Sequence, residues 1–260
     1  MINSISELYR YRELLGVWTL REVRVRYKQS ILGGAWAILQ PLALMVIVTI
    51  VFGYFVKIPT GGIPYPLFSY SALLPWTFFA TSITFAVMSI VGNMNLVTKI
   101  YFPREILPIA SIGAAFFDYC IAFLMYLVMV FFYRVPLHTT ILLLPLLLIV
   151  QILLTSGIAF FASALLVFFR DVRFIIPLIL QLWFFLCPIV YPLNMVPQRF
   201  LFLYQLNPMA VLIENYRLVT LLGQQPRWDT LGLAFILSFL TFFSGYLFFK
   251  RNEAAFADII

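Results

Sequence analysis

A series of long apolar stretches, almost free of charged side chains, constrains the fold of this chain more than any other feature. An α-helix needs roughly 20 consecutive apolar residues to cross the hydrocarbon core of a bilayer. Stretches that reach or approach this length predict six transmembrane helices. They lie near Gly34–Phe55, Leu67–Val91, Ile106–Tyr133, Thr140–Phe169, Phe174–Tyr191 and Thr230–Phe249.

The composition supports an all-α integral membrane protein and argues against a soluble enzyme. Hydrophobic residues make up 63% of the chain and charged residues only 10%, whereas soluble domains carry about 25% charged residues. We therefore expect an N-terminal cytoplasmic segment over residues 1–30 and one transmembrane domain over residues 31–260.

The net charge of +7 is arranged as a topology signal rather than as a nucleic-acid-binding groove, because most basic residues lie in short segments between apolar stretches. With the N-terminus in the cytoplasm, 12 Lys and Arg residues fall in cytoplasmic segments and 5 in outer segments. The positive-inside rule therefore predicts that both termini are cytoplasmic.

Two regions differ from simple spans. The stretch from Arg10 to Lys28 predicts an amphipathic helix at the membrane surface, serving as a lipid anchor, a moving gate or a docking helix. Its apolar side is predicted to hold Tyr11, Leu14, Leu15, Trp18 and Val25, beside a basic side with Arg10, Arg21, Arg24 and Lys28. Between spans 5 and 6, Pro192–Asp229 contains proline residues and short apolar runs, which predict short re-entrant or interfacial helices.

The loop Asn93–Glu105 is short, charged and predicted to be cytoplasmic. It carries Tyr101 and Phe102, and exposed aromatic side chains are unfavourable in water unless a partner covers them. Pro103 and Glu105 suit the start of the next helix. The loop therefore reads either as a docking element or as an ordinary helix cap.

Asp118 lies midway along the third predicted span, where a carboxylate is unfavourable without a partner or a cavity. A proton relay, a structural hydrogen bond and a protonated acid all remain open for it. Cys120, Cys187 and the single His138 form no metal-binding spacing, so no metal site is expected. No lysine comes immediately after a glycine, so the chain has no P-loop. We therefore expect no nucleotide hydrolysis by this chain alone.

Several motifs in one order along the chain resemble a known family. Arg26-Tyr27-Lys28-Gln29-Ser30-Ile31-Leu32-Gly33-Gly34-Ala35-Trp36 runs into Leu39-Gln40-Pro41, Lys99–Pro108 reads KIYFPREILP, and weaker matches occur at Phe169–Val172, Asn207-Pro208 and Tyr216-Arg217. These motifs are similar to those of polysaccharide-export ABC transporter permeases, the membrane subunits of type-2 ABC exporters that carry O-antigen or teichoic acid.

The resemblance implies a homodimer in a bacterial inner membrane that binds two copies of a separate ATPase subunit. ATP and Mg would bind that partner, so no cofactor is expected in this chain. The substrate would be a glycan on a polyprenyl pyrophosphate, threaded outward through the dimer. The outer gate would be formed by the short helices of Pro192–Arg227.

The resemblance also assigns roles to individual residues. The ATPase-coupling loop would contain Lys99, Tyr101, Phe102, Pro103, Arg104 and Glu105. The gate helix and the contact with the lipid pyrophosphate would involve Arg21, Arg24, Arg26, Tyr27, Ser30 and Gly33. Candidates for lining the channel are Trp36, Phe52, Tyr54, Trp183 and Tyr191.

Three other readings remain. A type-2 exporter of teichoic acid, a small lipid or a drug would share the fold. An integral-membrane enzyme would need a cluster of carboxylates or histidines at one face, which the sequence lacks. An ion-coupled carrier would use Asp118 and would need no ATPase.

Overall fold

A computed structural model describes residues 9–28 and 30–256, which fold into helices and connecting turns without any strand. The α-helices are α1 (Arg12–Tyr27), α2 (Trp36–Val48), α3 (Tyr65–Met88), α4 (Met94–Val97), α5 (Ile106–Phe132), α6 (Leu144–Phe168), α7 (Val172–Leu186), α8 (Gln198–Leu206), α9 (Pro208–Thr220) and α10 (Trp228–Asn252). Short 3₁₀ turns precede α2, α4 and α6, and a π-helical segment, Thr49–Phe55, extends α2.

Among the described residues, five helical segments are long and apolar enough to cross a bilayer. They are Gly33–Phe55, Tyr65–Met88, Ile106–Phe132, Thr139–Phe168 and Trp228–Ala255. The all-helical membrane fold predicted from the sequence is therefore confirmed at this level.

The fifth predicted span, Phe174–Tyr191, differs from the structure. Its helix, α7, has only 15 residues and ends at Leu186, which gives a length of about 22 Å at 1.5 Å per residue. The cause is Pro188, because a proline disfavours helical geometry in the preceding residue. Cys187 is accordingly extended, with φ −101° and ψ 148°.

α3 lies in the middle of the bundle and packs against α2, α5, α6, α7 and α9. The closest helix pair is α6 and α10, which cross at Gly157 and Gly245. A Cβ atom added to Gly245 would lie 2.1 Å from the carbonyl oxygen of Gly157. Small residues allow this approach, and helices in lipid associate mainly through such close packing.

α1 packs along the first half of α5 instead of lying apart from the bundle. Gly113 of α5 permits this contact, since a Cβ atom there would lie 2.9 Å from Cγ2 of Thr19. Trp18 and its apolar neighbours on α1 share one side as predicted, but this side packs against a buried cluster of the protein, and Val25 is 56% exposed. The predicted apolar side was therefore wrong at its C-terminal end, where Arg26 and Tyr27 face the bundle.

α9 begins with a well-formed cap. The side-chain oxygen of Asn207 accepts hydrogen bonds from the backbone N–H groups of Met209 (3.2 Å) and Ala210 (3.3 Å). Pro208 occupies the first helical position, where a missing N–H has little effect. The Asn-Pro pair noted in the sequence is thus a helix start.

Candidate functional site

Asp118 is the centre of an ion-paired cluster that joins α1 to α5. Nη1 of Arg26 donates to Oδ2 of Asp118 at 2.6 Å, and the Tyr27 hydroxyl donates to Oδ1 at 2.5 Å. Arg26 also donates to the carbonyl oxygen of Ser111 at 3.1 Å and lies 3.9 Å from the ring centre of Phe85. The cluster therefore holds the C-terminal end of α1 against the middle of α5.

Both members of the ion pair are largely shielded, with side-chain exposures of 8% for Arg26 and 17% for Asp118. Burial, followed by the hydrogen bond to Asp118, raises the pKa of Tyr27 above its ordinary value. The hydroxyl therefore stays protonated and keeps donating to the carboxylate. No local pattern in the sequence indicates this partnership, because Arg26 and Asp118 are 92 residues apart.

A cavity of about 510 Å³ opens beside this cluster, between the end of α1 and helices α2, α3 and α5. Its polar lining consists of Arg26, Tyr27, Ser30, Gln40, Thr77, Thr81 and Asp118. Its aromatic lining consists of Trp36, Phe78, Phe85 and Tyr119. This combination of aromatic faces and hydrogen-bonding groups is typical of a small-molecule site.

The opposite side of α1 forms an open groove of about 900 Å³. It combines apolar and cationic side chains, namely Val17, Leu20, Val25, Arg21, Arg24 and Lys28. Tyr27 lines both this groove and the cavity, so the two lie next to each other. Arg21 donates to Oδ1 of Asn93 at 3.1 Å, which ties the groove to the turn before α4.

The turn between α1 and α2 depends on Gly33. Its φ of +51° lies in the left-handed region that favours glycine, and its N–H donates to the Ser30 hydroxyl at 3.2 Å. Ser30 and Gly33, which were expected to belong to a gate, therefore shape the chain where α1 meets the first span.

The predicted coupling loop has an exposed tip and a buried base. Lys99 is exposed at the tip, together with Ile100 (57% exposed) and Tyr101 (85% exposed). Phe102 is only 8% exposed and stacks on Trp18 of α1 with ring centres 6.3 Å apart. Exposure of both aromatic residues was expected from the sequence, and this expectation was wrong for Phe102, because α1 covers it.

The base of the loop is tied to the C-terminal end of α10. The Arg104 guanidinium donates to the backbone carbonyl of Glu253, and the Arg104 backbone N–H donates to the Glu253 carboxylate at 3.2 Å. Nζ of Lys250 lies 2.7 Å from Oε1 of Glu105 and 2.8 Å from the carboxylate of Glu253. Burial raises the pKa of Glu105 above its usual range, and Lys250 opposes that rise.

The aromatic residues predicted to line a channel separate into different environments. Trp36 lines the cavity, while Tyr54 is 72% exposed and Phe52 is partly buried against the core. The other two are tied inside the chain: Trp183 donates to Asn207 at 3.0 Å, and Tyr191 hydrogen-bonds the Tyr204 hydroxyl. The structure does not bring these five residues into one wall.

Arg217 has a structural role, as a hydrogen-bond donor to backbone carbonyl groups, that the sequence analysis missed. It is 3% exposed, and its guanidinium donates to the carbonyl oxygens of Pro188, Ile189 (2.6 Å) and Tyr191 (3.3 Å). It also lies 3.8 Å from the ring centre of Phe68. Arg217 thus satisfies the carbonyl groups that the break after α7 leaves without helical partners.

The chain belongs to the ABC-2 type transporter family, whose members are membrane components of ABC transporters, and its similarity to that family covers residues 13–221. The similarity to individual relatives extends over nearly the whole chain. The chain is 30% identical to the O-antigen export system permease protein RfbA of Myxococcus xanthus, over 100% of both chains. It is 29% identical to an RfbA of Klebsiella pneumoniae over 95% of both chains.

A second kind of relative handles another polysaccharide. The chain is 25% identical to the polysialic acid transport protein KpsM of Escherichia coli, over 91% of this chain and 92% of that protein. The resemblance seen in the sequence motifs is therefore confirmed, as are membership of an ABC transporter permease family and the relation to polysaccharide export.

Proposed function

We propose that this chain is the permease subunit that exports a polyprenyl-pyrophosphate-linked polysaccharide across a bacterial cytoplasmic membrane. The observation that carries this proposal is the full-length similarity to O-antigen export permeases. Teichoic acid, a small lipid or a drug is less well supported as cargo, because both kinds of relative are named for polysaccharides.

Energy would come from a separate ATPase subunit that binds ATP and Mg and docks on the coupling loop. At the tip of the loop, the exposed side chains of Lys99, Ile100 and Tyr101 form a cationic and apolar surface that would bind in a groove of that partner. The buried base supports force transmission, since Phe102 contacts α1 and Glu105 pairs with Lys250 of α10. A push on the tip therefore reaches both helices through packed contacts.

The pyrophosphate of the substrate would bind the basic groove of α1. Arg21, Arg24 and Lys28 line it beside Val17, Leu20 and Val25, which suits a phosphate joined to an apolar tail. From the sequence, Arg26 was expected to share this contact with Arg21 and Arg24, and Lys28 was not included. The Arg26 guanidinium is occupied by Asp118 and Ser111, so we assign the phosphate contact to the other three.

The chain would work as a homodimer with both termini in the cytoplasm. α7 exposes an apolar stripe to lipid or to a second copy, including Phe174, Leu178, Leu182 and Phe185. We propose that α7 and the extended segment after it complete the sixth crossing. α8 and α9 would be re-entrant helices at the outer face, with Arg217 satisfying non-helical backbone inside the protein.

Deletion of the gene in its native host tests this function. Lipid-linked glycan is expected to accumulate inside the cell, and the wild-type gene is expected to restore surface glycan. Purification of the tagged chain in mild detergent is expected to bring down a stoichiometric ATPase subunit with a P-loop. Normal surface glycan and an unchanged lipid-linked pool in the deletion strain would refute the proposal.

A further inference from the structure

The cavity beside Asp118 has a chemistry that differs from that of the adjacent basic groove. Its ionisable lining residues are Arg26, Asp118 and two tyrosines, so one positive charge is balanced by one negative charge. A site of zero net charge gives little attraction to a pyrophosphate, and its ion pair and hydroxyl groups are unfavourable for a hydrocarbon tail. A neutral ligand rich in hydroxyl groups fits it better.

The lining supplies both kinds of contact that such a ligand needs. Asp118 and Gln40 offer acceptors, Gln40 offers N–H donors, and the Thr81 hydroxyl offers both. The Thr77 hydroxyl donates to the carbonyl oxygen of Leu74 at 3.0 Å and is left as an acceptor. The electron-rich ring of Trp36, which is 45% exposed, suits the polarised C–H groups of a sugar ring. The volume of about 510 Å³ lies within the usual range of ligand pockets, ~300–1,000 Å³.

From these observations we infer that the cavity between α1, α2, α3 and α5 binds a neutral sugar of the glycan, next to its pyrophosphate. This assignment rests on the proposed function and deepens it. Tyr27 lines both sites, so a pyrophosphate in the basic groove and the sugar attached to it would both lie beside this residue. The permease would then read the lipid carrier and the first sugar separately.

The test uses two probes on the full-length permease in nanodiscs, with any ATPase that co-purifies. One probe is the glycan released from the host's lipid-linked pool by mild acid, and its binding is measured by saturation-transfer difference NMR. The other probe is undecaprenyl pyrophosphate without sugar, and its binding is measured by native mass spectrometry. The variant T77V/T81V removes two cavity hydroxyls at nearly constant volume, and T84V is the matched control. Thr84 lies on the same helix, is exposed, and bonds its own backbone at Ala80.

We expect T77V/T81V to weaken glycan binding at least about fivefold, in keeping with the loss of one or two hydrogen bonds, and to leave undecaprenyl pyrophosphate binding unchanged. T84V should leave both unchanged. Glycan binding of wild-type strength in T77V/T81V would overturn the assignment. So would an equal loss of both probes, or a wild-type permease that binds the lipid but not the glycan. If the wild type binds neither probe and the deletion strain accumulates no lipid-linked glycan, the proposed function fails as well.

Discussion

The ion pair between Arg26 and Asp118 allows a quantitative prediction about what holds α1 in place. Asp118 accepts two short hydrogen bonds, one of them from a cation. Removing one partner of a buried pair typically costs about 3–5 kcal/mol, because the other charge is left unpaired. The adjacent cavity can admit water, so we expect about 2–4 kcal/mol for R26M and about 1–3 kcal/mol for D118N.

A double-mutant cycle separates the pair itself from the burial of either residue. R26M/D118N contains neither charge, so it should be less destabilised than the sum of the single variants, with a coupling energy of about 1–2 kcal/mol. The assay is equilibrium unfolding in mixed micelles. Unfolding is monitored by the thiol reactivity of the buried Cys187 in a C120S background, which removes the exposed cysteine.

The matched control is R24M, which removes an exposed arginine from the same helix. Arg24 makes no ion pair or side-chain hydrogen bond with the described residues, so its loss should change the stability by less than about 0.5 kcal/mol. Single effects that add to within about 0.5 kcal/mol in R26M/D118N would refute the claim that this pair fastens α1 to α5.

Three further variants test other parts of the structure. G157L should prevent α6 and α10 from approaching and should reduce folded yield in detergent several-fold, whereas G232L, which meets open space, should not; equal yields would contradict the packing described. Y101S should weaken ATPase co-purification without changing the melting temperature. F102S should lower the melting temperature, because it leaves Trp18 without its stacking partner. The reverse pattern would show that the loop is oriented differently. R217M should cost about 3–5 kcal/mol of stability, since it leaves three carbonyl groups around the α7 break without donors, and an unchanged unfolding midpoint would show that water or other groups satisfy them.

The comparison between sequence and structure is most informative at α7. Its apolar composition predicted a full span, because hydropathy counts residues and takes little account of the backbone. Pro188 was visible in the sequence, and its effect on Cys187 is a local rule that would have shortened the prediction. The donor that makes the break tolerable, Arg217, could not be found in this way, because it lies 28 residues from Ile189.

The coupling loop shows a similar division at the level of side chains. The motif Lys99–Pro108 located the loop, and its position between two spans followed from the hydropathy pattern. Which of its aromatic residues is free depends on α1, which packs on Phe102 and leaves Tyr101 exposed. No local pattern distinguishes these neighbouring residues.

By itself, the sequence determined that this chain is an all-helical membrane protein of the ABC-2 type, because hydropathy and short motifs are local properties that survive without knowledge of contacts. Only the tertiary structure decided what Asp118 does and where the polar cavity lies. Both depend on α1 folding back along α5, so that Arg26 and Tyr27 reach a carboxylate more than 90 residues away. Charge in an apolar setting needs a partner, and the partner is chosen by packing rather than by position in the chain.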